Sequence, residues 1–383
     1  MGALQKPKLG LVLTGGGAHA AYQAGVLRGI AEIVGSKESP FSIVTGVSGG
    51  AVNSAALGAG SDDVRLATEK LWNVWKNIKL EDVFKTDPLS LLKIGSRWIK
   101  DLSFGEYFGS SSSNYLLDNS PLEKLLGVID FAAIERHIAS GLLHGVGVTA
   151  TNYGSGRAVT FFDGEPSIMP WFRGMRFSVR KRLKLEHVMA SIAIPVLFPP
   201  VQVESCFFGD GCIRQNAPLS PAIHLGADRI VVIGIQHPRS EIDCPPPTED
   251  HPNQVLMVDI AGVLLNAVFM DAVDLDLNRM QRVNRTVALL TPEQRAQNPD
   301  ELRYIPVLAI QPSKNLNTMA SEQFGKFPVI LRHLLRGIGA ADEKGWTLLS
   351  YLAFDGSYTS LLLELGYQDV MAQRESLKEF LEI

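Results

Sequence analysis

Cysteine is nearly missing from this chain: three in 383 residues, Cys206, Cys212 and Cys244, with no C-x-x-C pair and no metal-site spacing. That excludes a disulfide-stapled scaffold and a zinc module, and an odd, sparse count suits a reducing compartment. No metal and no cofactor are expected. A surplus of positive charge is missing too. The 36 Lys and Arg are outnumbered by 40 Asp and Glu, for a net charge of −4. There is no global electrostatic case for nucleic acid, and none is expected as a partner. Long apolar runs are also absent. Ile260–Met270 is uncharged but far short of the ~20 residues a membrane span needs. The longer uncharged stretch Ser39–Ser61 is rich in Gly, Ser and Asn, so no transmembrane helix is expected. At the N-terminus, Lys6, Lys8, Leu9–Leu13 and Ala18-His19-Ala20 mimic a signal peptide. The apolar part is shorter than the usual ~7–15 residues and runs straight into Thr14 and three glycines, so no signal is expected. The expected location is cytoplasmic, with peripheral contact at a membrane or micelle surface. No internal repeats stand out.

What the chain does have is length and an ordinary globular composition, 46% hydrophobic and 20% charged. That suffices for one large α/β domain with an appendage. Leu9–Leu13 reads as a buried parallel strand and Ala18–Val34 as a helix after a glycine turn. Ser42–Thr45 reads as the second strand, with a helix from about Gly50 and another over Arg65–Asn77. Gly145–Thr149 and Ala158–Phe162 read as strands joined by a turn at Tyr153–Gly156. A helix is expected at His187–Ser191, strands at Arg229–Ile235 and Ile305–Gln311, and a long helix over Gln254–Asn284. An amphipathic helix closes the chain around Asp369–Leu381. Leu80–Ser120 is irregular and carries Pro88 and the run Ser110–Ser113, which fits a cap or lid. Cys244–Pro252 is a Pro-rich linker. The alternation of strands and helices implies a three-layer α/β/α fold with a mostly parallel central sheet.

Between the second strand and its helix stands Gly46-Val47-Ser48-Gly49-Gly50, a G-x-S-x-G pattern in the strand–turn–helix context of a nucleophile elbow. The glycines permit the sharp turn, and the helix brings free N–H groups beside the hydroxyl. Between the first strand and helix stands Thr14-Gly15-Gly16-Gly17-Ala18. Adjacent glycines there let backbone N–H groups converge on an oxyanion. Gly15, Gly17 and Ala20 also satisfy a dinucleotide fingerprint, but that motif needs an acidic residue closing the second strand, where Ser48 follows instead. For the partner of Ser48, a Ser…Asp…His order could use Asp210 with His224, His237 or His251, of which His237 is best placed. Asp210 stands in a Gly-Asp-Gly loop after an apolar run. Spacing alone does not choose between a base and a turn aspartate.

These motifs resemble the patatin-like phospholipases over Leu9–Pro218. The match comprises Gly15-Gly16-Gly17, the elbow, the Ala190-Ser191…Pro195…Phe198-Pro199-Pro200 stretch, and Asp210-Gly211 with Asn216 and Pro218. The resemblance implies a Ser–Asp dyad without a histidine, Ser48 as nucleophile and Asp210 as base. It implies an oxyanion site in the glycine loop, Gly15, Gly16 and Gly17, with Gly49 contributing. It implies a lipid ester substrate, phospholipid or lysophospholipid, and no metal in the chemical step. An esterase, thioesterase or transacylase of the same chemistry is the runner-up, and a non-catalytic lipid-binding module the alternative of another class. The catalytic domain is expected over 8–313, including the cap-like insertion at about 80–120 and the linker at 244–252, with a helical C-terminal extension over 321–383.

Two departures stand out. His19 occupies a position where the family usually carries Arg or Lys, and it is either a substrate contact or a helix-turn residue. Cys212 replaces the usual Gly or Ala. Separately, Trp171–Lys184 contains Arg173, Arg176, Arg180, Lys181, Arg182 and Lys184 with no acid. It reads as a solvated face or as a contact with anionic headgroups. The apolar clusters Trp98-Ile99 and Leu361–Leu363 are read as an interfacial patch and as helical core, respectively.

Overall fold

A computed structural model describes residues 7–87, 115–238, 272–291, 302–323 and 350–383, with the single positions 293–294, 297, 325 and 332. β1 (Leu9–Leu13) leads through a 3₁₀ turn at Gly17–His19 into α1 (Ala20–Val34), and β2 (Ile43–Val47) leads directly into α2 (Gly49–Ala59). Next come α3 (Val64–Asn77), the short α4 (Leu80–Val83), α5 (Ser120–Leu126) and α6 (Phe131–Ala139). A strand-rich stretch follows: β3 (Gly145–Asn152), β4 (Arg157–Gly164), β5 (Phe172–Arg173), β6 (Arg176–Arg180), α7 (Leu185–Ser191), β7 (Val201–Val203) and β8 (Cys206–Asp210). The chain continues with α8 (Ser220–His224), β9 (Arg229–Ile233), α9 (Ala272–Leu289), β10 (Val307–Ile310), α10 (Leu316–Gln323), α11 (Gly356–Ala372) and α12 (Arg374–Leu381).

The sheet runs β10-β9-β1-β2-β3-β4-β6-β5, with β8 added to β3 and β7 to β8. From β10 to β3 every pair is parallel, while β3 pairs antiparallel with β4 and β8. Side chains alternate across the pleat. Leu11, Leu13, Val44 and Val231 enter one core with α1, α2, α3 and α11, whereas Val12, Ile43, Ile230 and Val232 enter another under α8 and α9. With both faces covered, the strands read as continuous apolar runs, which is why β1 and β9 are so visible in the sequence. The expected three-layer architecture is what forms.

The basic run, read as a face with no element assigned, builds the β5–β6 hairpin, since Phe172, Phe177 and Val179 favour extended backbone. Other local expectations are corrected. The closing amphipathic helix is two helices, broken at Gln373. The described part of the supposed extension, 350–383, does not stand apart. α11 lies against α1 so closely that a Cβ on Gly25 would sit 2.0 Å from the Leu363 carbonyl oxygen, and one on Gly366 2.1 Å from that of Tyr22. Tyr22 donates to Asp369 at 3.0 Å, and Thr359 to the Trp75 carbonyl at 2.6 Å. Leu362 and Leu363 are buried in the same core as β1. Most of the cap, the linker at 244–252, Trp98-Ile99, Cys244, His251 and the first part of the Gln254–Asn284 helix lie outside the described residues. No helix among the described residues is long and apolar enough to cross a membrane.

Candidate active site

Ser48 follows β2 directly, with φ +53° and ψ −130°, a backbone setting that L-residues rarely adopt. The turn is held by its neighbours. A Cβ on Gly46 would lie 2.3 Å from the Gly50 carbonyl oxygen, and one on Gly50 2.3 Å from that of Leu13. No side chain fits at either position, so the glycines of the motif are steric requirements. Ser48 N–H donates to Ser191 Oγ at 2.9 Å, and the Ser191 hydroxyl donates to the Thr149 carbonyl at 2.6 Å. The elbow is thus anchored to α7 and β3 through one hydroxyl.

Asp210 is the last residue of β8, which pairs with β3 so that Ala150 faces Asp210, while β2 pairs with Gly145–Thr149 just before it on the same edge of β3 and β4 takes the other edge. One strand therefore brings together two residues 162 positions apart, and Ser48 Oγ donates to Asp210 Oδ2 at 2.6 Å. The other carboxylate oxygen accepts from Cys212 N–H at 2.9 Å, and Thr151 donates to the Asp210 carbonyl at 2.8 Å. Asp210 is fully buried and Ser48 is 2% exposed. Burial pushes the Asp210 carboxyl up to about 6, against the opposing hydrogen bonds from Ser48 and Cys212. Its charge is stabilised enough to exist near neutral pH, yet it is far more basic than an ordinary carboxylate.

The glycine loop closes over this pair. A Cβ on Gly15 would meet Cys212 Sγ at 2.2 Å and Ser48 Cβ at 2.9 Å. The Gly15 N–H faces the Cys212 thiol, whose pKa burial pushes up against the lowering effect of that contact. Cys212 is a packing residue, and Gly15 lets the loop touch the elbow. Gly17 has φ +54°, and the Tyr351 carbonyl would lie 2.4 Å from a side chain there. Gly49 approaches Gly17, its added Cβ lying 2.9 Å from the Gly17 carbonyl oxygen. As the first residue of α2, Gly49 carries one of that helix's unsatisfied N–H groups. Gly17, Ser48 and Gly49 all border an apolar pocket walled by Val52, Leu71, Trp75, Leu126, Ile194 and Phe198. A groove of about 420 Å³ continues from it, sharing Val52, Leu71, Val74, Leu125 and Leu126.

The other candidates fall elsewhere. His237 Nδ1 pairs with the Pro312 carbonyl at 2.9 Å, and His224 stacks on Trp171. His19 is fully buried with both ring nitrogens unpartnered among the described residues, its ring 4.9 Å from that of Tyr351. Burial pushes its pKa down to about 3. It is a neutral core residue at pH 7, closed off from any headgroup. Arg180 donates to the carbonyls of Gly164, Glu165 and Ile168, with its guanidinium over Phe162. Lys181 pairs with Glu204 and Arg182 with Glu135. These three hold the fold locally, which leaves Arg173 and Arg176 from the suspected headgroup contact. Sequence reasoning missed the roles of Ser191 and Thr151. A serine and a threonine beside β-branched or small residues gave no signal that their hydroxyls brace the elbow and Asp210. Among the described residues, no cluster of His, Cys, Asp and Glu could hold a metal ion.

A family model described as patatin-like phospholipase matches residues 11–223. No curated protein matches the chain. VipD from Legionella pneumophila is similar at 14% identity and a TM-score of 0.36, covering 97% of this chain and 67% of its own. The human GIVD cytosolic phospholipase A2, solved with methyl gamma-linolenyl fluorophosphonate, is similar at 13% identity and a TM-score of 0.42. That likeness covers 98% of this chain and 59% of the human one, so this chain spans well under two thirds of the latter's length. The family model takes in both glycine motifs, Ser48, Ser191 and Asp210, more than half of the chain, and the chain belongs to the patatin-like phospholipase family.

Proposed function

We propose that the chain is a serine acyl hydrolase that releases fatty acid from phospholipid or lysophospholipid esters through an acyl-enzyme on Ser48. The observation that carries this reading is the 2.6 Å hydrogen bond from Ser48 Oγ to the buried Asp210 carboxylate, at the edge of an apolar pocket. Asp210 takes the serine proton as Oγ attacks the ester carbonyl. Backbone N–H groups of Gly16, Gly17 and Gly49 stabilise the oxyanion, each such donor contributing on the order of 10²–10³ in rate. Asp210 then gives its proton to the departing alcohol. Water, deprotonated by the same carboxylate, attacks the acyl-enzyme, frees the fatty acid and returns the proton to Ser48. A carboxylate suffices as base because burial has brought its pKa near the working pH. The apolar pocket and the groove beyond it suit a hydrocarbon chain rather than a polar acyl donor. The decisive experiment is mass spectrometry of products from a mixed lipid extract. Free fatty acid should appear with the wild type and not with Ser48→Ala; equal products from both would overturn the assignment.

A further inference from the structure

On the sheet face away from the Ser48 pocket, a cleft of about 750 Å³ opens beside α8 and α9. Its described walls include Arg173, His224, Asp276, Arg279 and Arg303, and they share no residue with the described walls of the Ser48 pocket. Arg176, on the adjoining β6, acts on the same space. The charges of Arg176 and Arg279 both reach Asp276, and those of Arg173, Arg176 and Arg303 all reach His224. Guanidinium groups gathered this way repel one another, and an anion bound among them would relieve that repulsion.

The partners of each charge are few. Arg303 is committed: it pairs with Asp228 at 2.9 Å and caps the Ala227 carbonyl at 2.9 Å. Arg173 is exposed and, among the described residues, donates only to the Phe172 carbonyl, with no acid paired to its charge. Arg279 is exposed and, beyond its charge reaching Asp276, makes no hydrogen bond or ion pair among the described residues. Arg176 is half-buried, and its Nη1 is wholly buried with no hydrogen-bond partner among the described residues, a desolvated donor that they do not satisfy. Asp276 is the one carboxylate among the described walls, and it already accepts from Leu219 N–H at 3.0 Å. With Arg303 and Asp228 cancelling, three arginines stand against that single acid among the described residues, which leaves a surplus of two positive charges among them. The remaining walls include Ile223, Met280, Val283 and Ile305, an apolar floor that weakens screening.

We propose that this cleft binds a dianionic phosphate group, presented by a lipid headgroup or by a soluble phosphate monoester, on Arg173, Arg176 and Arg279. Guanidinium groups grip phosphate through paired, charge-assisted hydrogen bonds, and the orphaned Nη1 of Arg176 gains its acceptor. His224 is held flat against Trp171, with ring centroids 4.9 Å apart, and is neutral at pH 7, so it adds a hydrogen-bonding edge without charge. Because the cleft and Ser48 lie on different faces, the proposal stands independently of the hydrolytic reading.

The test uses the full chain at about pH 7.5, where a phosphate monoester carries nearly two charges. Calorimetric titration with inorganic phosphate and with glycerol 3-phosphate reads the soluble arm. Sedimentation with phosphatidylcholine vesicles carrying phosphatidate, or phosphatidylglycerol at equal mole fraction, reads the headgroup arm. Saturable phosphate binding, weakened about tenfold or more in R173Q and in R279Q, is expected. R182Q, whose parent side chain pairs with Glu135, should bind as the wild type does. Binding in the soluble arm alone identifies a phosphate monoester; a preference for phosphatidate vesicles that R279Q removes identifies a headgroup. Both outcomes support the site. No saturable binding in either arm, or binding indifferent to Arg173 and Arg279, overturns it. Both variants change exposed side chains, so folding does not confound the readout.

Discussion

Replacing Asp210 with Asn removes a buried charge while keeping the shape of the side chain. The Asn carbonyl can still accept from Cys212 N–H, and its amide can donate to Ser48 Oγ, so the hydrogen-bond count is preserved. What disappears is the cost of holding a carboxylate away from water. Burial raises this carboxyl from 3.8 to about 6. At about 1.4 kcal/mol per pKa unit, that is about 3 kcal/mol of stability absent from the ionised native state. The sign follows from the direction of the shift. A carboxyl with a raised folded-state pKa contributes stability that is complete below the unfolded value near 4 and lost as pH rises through 6. Asp210→Asn should therefore be more stable than the wild type at pH 8 by about 3 kcal/mol, and the gap should close by about pH 4. Activity should fall by at least 10²–10⁴, the usual contribution of a general base. Guanidinium unfolding of both proteins from pH 4 to 8 measures the gap, and ester hydrolysis measures the loss. A variant equally or less stable at pH 8, with a gap independent of pH, would refute the reasoning.

The same carboxyl sets the pH–rate profile: kcat/KM on a short-chain ester should fall as pH drops below about 6, and a flat profile down to pH 5 would contradict a carboxylate base. Ser48→Gly and Ser48→Ala should both be inactive, yet the glycine variant should be more stable by roughly 1–3 kcal/mol, because it relieves the positive φ of the elbow; equal unfolding midpoints would deny that strain. Gly366→Ala should destabilise the protein by roughly 1–3 kcal/mol or more, since its Cβ would meet the Tyr22 carbonyl. A wild-type midpoint there would mean that α11 is not part of the core. His237→Ala should keep near-full activity, its ring being held by the Pro312 carbonyl.

The site was legible where chemistry requires particular residue types in a particular context. Gly46, Gly50 and Gly15 are compelled by contacts that a single carbon would violate, so the motifs announce the turn. The strands β1, β2 and β9 were legible because burial on both faces makes them uniformly apolar. Asp210 was visible as a misplaced acid, but its pairing with Ser48 depends on β8 joining β3, a register that spacing does not encode. The C-terminal helices were legible as helices, but their packing on α1 was not, because α11 meets α1 through close backbone contact. Gly25, Gly29 and Gly366, glycines inside helices, were the available signal of that close approach. His19 was left open between a substrate contact and a helix-turn residue, because Tyr351, which packs against its ring, is distant in sequence. The basic run hid its partners for the same reason: Glu135, Glu204 and the carbonyls of Gly164 and Glu165 lie in other segments.

The central claim is that Ser48 is a nucleophile activated by Asp210. Labelling with a fluorophosphonate, followed by peptide mapping, tests it most directly. The wild type and His237→Ala should be modified at Ser48 at equal rates, and Asp210→Asn at least a hundredfold more slowly. Modification at another residue, or an Asp210→Asn variant labelled as fast as the wild type, would contradict it.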